Sequence, residues 1–198
     1  QTLKKLKYKI MFDRIEAGTY MIAAALTGGN LKISNVNPKI INTEINILKK
    51  IGAKIEIKDH EINIRRTGKI KSVKLKTSPY PGFPTDLQAQ LMVLLCKANG
   101  RSEISERIFE NRFMHASELN RMGAKIKILG NKAIIGGNVN FKAAELMATD
   151  LRASVSLILA ALTAKGKSTI NRIYHLDRGY EQIEKKLSKV GANIRRIS

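Results

Sequence analysis

Three aspartates, Asp13, Asp86 and Asp150, each stand at the head of a nearly all-apolar segment. Arginines cluster nearby in the later two-thirds of the chain: Arg112 in Phe109-Glu110-Asn111-Arg112, Arg152 in Thr149-Asp150-Leu151-Arg152, and Arg178 in Asp177-Arg178-Gly179-Tyr180. A fixed carboxylate can accept a proton or orient a hydroxyl, and guanidinium groups grip phosphate or carboxylate through paired N–H bonds. Together these types suit general-base chemistry on an anionic substrate. Taken singly, each aspartate is equally well explained as a helix cap, and each arginine as half of a salt bridge.

Asp86 has the most constrained surroundings. Pro79, Pro81 and Pro84 are three of the chain's four prolines and fix the backbone just before it, as a positioned base requires. Arg152 falls in the first turn of its predicted helix, where a cation opposes the helix dipole, so a partner anion is expected. Arg112 and Arg178 occupy comparable points of successive repeats, where the first repeat has Pro38-Lys39. Arginines at comparable points facing one mouth favour an anion site over separate salt bridges. Cys96 lies in Leu94-Leu95-Cys96 and reads as a small core residue. His60, His115 and His175 lack metal-ligand spacing. Gly28-Gly29 and Gly136-Gly137 read as turns, and no Walker or dinucleotide fingerprint occurs.

The elements that must position these residues are written three times. A helix ends in Gly-Ala before a strand at Gly52-Ala53, Gly123-Ala124 and Gly191-Ala192. Upstream, the buried helices are predicted over 13–26, 86–98 and 150–164, each stopped by a glycine-containing turn. Strands are predicted over 6–10 and 73–76, and after the buried helices over 31–36, 103–108 and 168–173. Hairpins follow at 54–65, turning at Asp59-His60, and around Gly130-Asn131. The third begins at Asn193–Ile197 without a returning strand, so a segment outside this chain is expected to supply it. A start on Gln rather than Met suits a fragment. The repeats span about 3–66, 70–137 and 138–198 of a single 1–198 domain. They predict an α/β (α+β) fold: an inside-out α/β barrel of three pseudo-symmetric repeats, buried helices within and sheets outside. The three helix starts then point their positive ends at one mouth.

Composition narrows the class. With 198 residues the chain can fill a sizeable core, and it has one cysteine, which excludes an internal disulfide and fits a reducing cytoplasm. No apolar run is long enough to span a bilayer, and the first lysines precede no signal-like apolar segment. The formal charge of +20 raises nucleic-acid binding. Only 5% of residues are aromatic, none of them Trp, and the lysines are spread along polar faces. A solvated basic surface that gathers small anions is the preferred reading.

Four motifs in order, Pro84-Thr-Asp86-Leu-Gln, Phe109-Glu-Asn-Arg112-Phe-Met-His, Ala148-Thr-Asp-Leu-Arg152-Ala-Ser and Asp177-Arg178-Gly-Tyr-Glu, resemble the UDP-N-acetylglucosamine 1-carboxyvinyltransferases, a family of enolpyruvyl transferases. Asp13-Arg14-Ile-Glu16-Ala-Gly-Thr is similar to that family as well, with Phe12 where the family usually has proline. The resemblance implies two inside-out barrels, with this chain the C-terminal half and the other half its missing partner. It implies transfer of the enolpyruvyl group of phosphoenolpyruvate to the 3′-hydroxyl of UDP-N-acetylglucosamine, the first committed step of bacterial peptidoglycan synthesis, in the cytoplasm. No cofactor, metal, membrane or nucleic-acid partner is implied. By the same resemblance Asp86 is catalytic, accepting or orienting the hydroxyl proton. Ile108 contacts the sugar nucleotide, Arg178 binds phosphoenolpyruvate, and Arg112 and Arg152 line the same cleft. Glu110 and Asp150 support the site or its closure. Arg14 is near the site, with pairing to Glu16 as the alternative. The family's Lys-Asn pair, its Cys-bearing loop and its other arginines would lie in the other half, so this half alone is expected to be inactive.

The nearest competing reading is the sister enzyme that enolpyruvylates a shikimate phosphate. A basic nucleic-acid-binding module is the reading from a different class; it gives no reason for the proline-ringed Asp86.

Overall fold

Helices that are apolar on every side must be wrapped by other elements, and the computed structural model, which describes residues 5–197, wraps all three. The first unit runs α1 (Arg14–Thr27), β1 (Asn30–Ser34), α2 (Asn42–Ile51), β2 (Lys54–Lys58) and β3 (Glu61–Arg65). The second runs β4 (Lys74–Lys76), α3 (Gln88–Cys96), β5 (Ser102–Ser105), α4 (His115–Arg121), β6 (Lys125–Leu129) and β7 (Lys132–Gly136). The third comprises β8 (Glu145–Met147), α5 (Leu151–Ala161), β9 (Thr169–Asn171) and α6 (Ile183–Lys189).

Every residue of α3 is buried, as is α5 from Ala153 to Ala160 and α1 from Met21 to Leu26. Each fully buried Leu, Ile or Met contributes about 1.5–3 kcal/mol, so these helices hold much of the core. The outer helix α2 is amphipathic: Ile45, Leu48 and Ile51 point inward while Lys49 and Lys50 stay exposed. The strands follow the same division, with Ile55 buried between exposed Lys54 and Glu56. Much of the positive charge therefore lies on solvated outer faces.

The outer helices α2 and α6 stop on Gly52 (φ 113°) and Gly191 (φ 98°), left-handed conformations that a Cβ would strain. The alanine after each returns its N–H to the last turn, Ala53 to Leu48 O at 2.9 Å and Ala192 to Leu187 O at 3.0 Å. The second unit repeats this bond from Ala124 to Leu119 O at 3.0 Å. The recurring Gly-Ala is thus one helix-stop motif used three times.

The sheets are ordered β1-β3-β2, β4-β5-β7-β6 and β8-β9. Two hairpins match in register, Ile55 facing Ile64 in the first and Ile126 facing Ile135 in the second. In the later units the leading strand runs parallel to the strand after the buried helix, β4 beside β5 and β8 beside β9. The three sheets stay separate among the described residues and do not join into one closed barrel of strands.

Two predicted strands do not form. Residues 6–10 and 193–197 lie outside regular structure. A strand is held by its ladder, and neither segment has one. Leu6, Tyr8 and Ile10 consequently remain 85%, 77% and 84% exposed.

Candidate active site

The three head-of-helix aspartates are used in two ways. Asp13 caps α1, its Oδ1 accepting from Ile15 N at 2.7 Å and Glu16 N at 3.0 Å. Asp150 caps α5 through Arg152 N at 2.7 Å and Ala153 N at 2.9 Å. Asp86 makes no cap. It sits within a short 3-10 turn, Thr85–Leu87, that precedes α3. The proline-rich approach folds back on itself, with Ser78 N donating to Phe83 O at 3.0 Å. The Asp86 carboxylate is thus left free of backbone capping bonds.

Two of the predicted arginines converge on it. Arg112 Nη2 donates to Asp86 Oδ1 at 2.7 Å, and Arg152 Nε donates to the same oxygen at 3.0 Å. Arg152 thereby gains the anion that its place in the first turn of α5 demands. The Arg112 guanidinium also lies over the Phe109 ring, 5.0 Å from its centroid. The side chains remain partly open, 37% for Asp86, 27% for Arg112 and 20% for Arg152. Among the described residues nothing bonds Asp86 Oδ2, so one carboxylate oxygen stays available to an incoming hydroxyl.

Beside this cluster a cavity of about 730 Å³ is lined by residues 106–114, including Ile108, Glu110 and Arg112. Its rim is organised by Glu106, which the sequence reading passes over. Glu106 is 2% exposed. Its Oε1 accepts from Thr77 Oγ1 at 2.8 Å, Ile108 N at 2.8 Å and Phe109 N at 3.3 Å, and its Oε2 accepts from Thr85 Oγ1 at 2.9 Å. One buried carboxylate therefore ties the loop carrying Ile108 to the turn carrying Asp86. The Ile108 N–H is engaged by Glu106, so any backbone contact from Ile108 to a ligand falls to its carbonyl. Glu110 is exposed on the rim, with no ion pair among the described residues.

Arg178 lies at the end of a 3-10 segment, Ile173–Arg178, and is exposed. Its neighbour Asp177 instead pairs with Arg196, at 2.6 and 3.0 Å, which holds the Asp177 carboxyl below the usual range. No ion pair to Arg178 occurs among the described residues, which leaves its guanidinium unneutralised. Arg14 does not pair with Glu16, which is held by Lys186 at 2.7 Å. Arg14 turns instead to Glu44 at 3.7 Å and lies 5.0 Å from the Tyr80 ring centroid. Glu44 is 2% exposed, neither carboxylate oxygen has a hydrogen-bond partner, and burial raises its pKa. Its acidic type on the inner side of α2 is the available signal.

A second cavity, of about 580 Å³, opens at the other end of the buried helices, against Thr27, Arg66, Lys97 and Leu162. It contains none of the predicted site residues. Arg66 there donates to the carbonyls of Ala25 and Gly68, and so neutralises a helix C-terminus. Among the described residues no group of three or more His, Cys, Asp or Glu could hold a metal, and no helix is long and apolar enough to cross a membrane.

Comparisons with known proteins agree with this architecture. The chain is 75% identical over 196 residues to the UDP-N-acetylglucosamine 1-carboxyvinyltransferase of Pelagibacter ubique, covering 99% of this chain and 47% of that protein. It is 53% identical to the protein of the same description from Bartonella henselae, covering all of this chain and 47% of that one. The chain thus spans about half the length of these relatives. The solved enolpyruvyl transferase NikO from Streptomyces tendae superposes with a TM-score of 0.87 at 29% identity, over 94% of this chain and 44% of that one. EPSP synthase from Acinetobacter baumannii shares the fold, with a TM-score of 0.74 at 16% identity over 96% of this chain and 44% of that one. The sequence model of the EPSP synthase (3-phosphoshikimate 1-carboxyvinyltransferase) family matches residues 1–187. The three-unit α/β fold and this match together show that the chain belongs to that family.

Proposed function

We propose that this chain is the C-terminal half of a bacterial enzyme that transfers the enolpyruvyl group of phosphoenolpyruvate to the 3′-hydroxyl of UDP-N-acetylglucosamine, releasing phosphate. Such a protein would act in the cytoplasm, at the first committed step of peptidoglycan synthesis. The observation that carries the reading is the Asp86 carboxylate, held through one oxygen by Arg112 and Arg152 with its other oxygen open. That arrangement can receive a hydroxyl proton while the surrounding cations stabilise an anionic co-substrate.

In this reading Asp86 orients the acceptor hydroxyl and takes its proton as the oxygen bonds to C2 of phosphoenolpyruvate, whose double bond opens by gaining a proton at C3. Loss of a C3 proton together with phosphate then restores the enolpyruvyl double bond. Arg178, exposed and without a carboxylate partner among the described residues, takes the phosphoenolpyruvate anion. Arg112 and Arg152 complete the positive wall. The Ile108 loop contacts the sugar nucleotide, with Glu110 at its rim. Asp150 holds Arg152 in place by capping its helix, and Arg14 lines the approach. The residues form one three-repeat unit, and the other half of the enzyme faces its mouth. This half alone is inactive, because the remaining arginines and the Cys-bearing loop belong to that other half.

The family description names a shikimate phosphate acceptor, whereas the two relatives above carry the sugar-nucleotide name. Phosphate release by the whole protein, measured with each acceptor in the presence of phosphoenolpyruvate, decides between them. Turnover with UDP-N-acetylglucosamine is expected. Turnover only with 3-phosphoshikimate, or with neither, overturns the proposal. Asp86→Ala is expected to abolish turnover while leaving sugar-nucleotide binding largely intact.

A further inference from the structure

Three buried polar side chains meet in the interior, one from each unit. Thr19 of α1, Gln90 of α3 and Tyr180 ahead of α6 are 1%, 0% and 1% exposed. Thr19 Oγ1 and Tyr180 Oη share a hydrogen bond of 2.8 Å. Gln90 Nε2 lies 3.1 Å from Thr19 Oγ1 and 3.3 Å from Tyr180 Oη, and donates to the backbone carbonyl of Asp86 at 3.0 Å. A carbonyl can only accept, so the Asp86 oxygen fixes which end of the Gln90 amide faces it.

This knot lies between two groups of the reaction. On one side Gln90 is bonded to the residue that carries the Asp86 carboxylate. On the other, Tyr180 follows Arg178 by two residues in a tight turn, with Gly179 N and Tyr180 N both donating to Leu176 O at 3.1 and 3.0 Å. Gly179 packs so closely on α5 that a Cβ there would come 2.8 Å from Leu151 Cδ2. The Tyr180 ring is seated among Val155, Ile158, Leu176, Ile183 and Leu187. Arg178 is therefore carried on a short rigid arm whose inner end is tied, through Thr19 and Gln90, to the Asp86 turn.

Filling the space does not require polar atoms. Phe, Val and Met would pack similarly, and a buried hydrogen bond adds only about 1 kcal/mol net. What the polar set adds is a fixed separation between elements far apart in sequence. We propose that Tyr180, with Gln90 and Thr19, is a positioning residue that sets the placement of Arg178 relative to Asp86, and so of phosphoenolpyruvate relative to the acceptor hydroxyl. The proposal rests on the roles given to Asp86 and Arg178 above. Reacting atoms must approach within about 3–3.5 Å, and a displacement of about 1 Å can cost about 100-fold in rate.

The test is Tyr180→Phe in the whole protein, with Thr19→Val as a second, isosteric break. Each is expected to lower kcat/KM for phosphoenolpyruvate by about 10- to 100-fold, with KM for UDP-N-acetylglucosamine within about 2-fold of wild type. The double variant should be little worse than Tyr180→Phe alone, since that change already removes both bonds that tie Tyr180 to Thr19 and Gln90. In the ligand-free protein, hydrogen exchange should accelerate in both 85–90 and 176–181. Unchanged phosphoenolpyruvate kinetics in a folded variant, or equal losses for both substrates, would overturn the proposal. A wild-type protein that releases no phosphate with either acceptor would instead overturn the functional reading. The exchange measurement still stands in that case, and acceleration confined to 176–181 sinks the link to Asp86.

Discussion

Asp86 and Arg152 are 66 positions apart in the chain, yet Arg152 Nε donates to Asp86 Oδ1 at 3.0 Å. The bond joins the heads of two buried helices from successive units, and Arg112 closes on the same oxygen from the intervening loop. In the exposed setting of the mouth such pairs add little stability. Their effect is orientation: both cations grip one oxygen and leave the other without a partner among the described residues.

Replacing Asp86 by Asn keeps the shape and removes the proposed proton acceptor. Turnover of the whole protein is expected to fall by about 10²–10⁴-fold, the usual worth of a positioned general base. With the neutralising carboxylate gone, Arg112 and Arg152 become available to other anions, so affinity for inorganic phosphate should rise. Calorimetric titration with phosphate beside steady-state kinetics reads both. Near-normal turnover in the Asp86→Asn variant removes Asp86 from the base role.

His115 sits at the start of α4, 3% exposed, with Nε2 lacking a partner. Burial lowers its pKa to about 4, with Asp150 opposing that shift and Arg112 adding to it. A pKa depressed on folding gives stability that is fully present above the unfolded value, about 6.5, and lost as pH falls through about 4. The full difference corresponds to about 3 kcal/mol. Urea midpoints should therefore decline between pH 7 and pH 4, and more gently in His115→Phe. An identical decline in both proteins would assign the acid sensitivity to other groups.

Cys96 is fully buried on α3, and desolvation pushes its thiol up to about 12. Only thiolate reacts readily, so the native protein should resist alkylation by iodoacetamide at pH 8 and react fully once denatured. Rapid native labelling, read by mass spectrometry, would contradict this packing.

The backbone plan is largely legible in the sequence because it rests on local rules. Apolar runs mark the buried helices, alternation finds the hairpins at 54–65 and around Gly130-Asn131, and Gly-Ala marks the helix stops. Alternation misleads at Leu6-Lys7-Tyr8-Lys9-Ile10, where the pattern is strand-like but no ladder holds it. At the site, the convergence of Arg112 and Arg152 on Asp86 is legible only as a shared mouth, since spacing does not give distances between units. Glu106 is invisible, because nothing local separates an acid that gathers four hydrogen bonds from a solvated one. Gln90 and Thr19 do carry a signal, since most buried polar groups find a partner. Gln88 on the same helix, however, is equally buried with Nε2 unpartnered, so the signal does not say which residues meet.

Glu106 offers the sharpest separation of positioning from stability. Its two oxygens accept from Thr77, Ile108, Phe109 and Thr85, so Glu106→Gln trades one acceptor oxygen for an NH₂ facing donors. The cost to stability is expected to be about 1–3 kcal/mol, read as a lower denaturation midpoint. Because the loop carrying Ile108 loses its anchor, KM for UDP-N-acetylglucosamine should rise about 10-fold, equivalent to about 1.4 kcal/mol. If Arg178, on a separate arm, takes phosphoenolpyruvate as proposed, KM for that substrate should hardly change. A variant that loses stability but keeps both KM values would reduce Glu106 to a structural residue. One that loses both equally would mean that the Asp86 turn, reached through Thr85, moves with the loop.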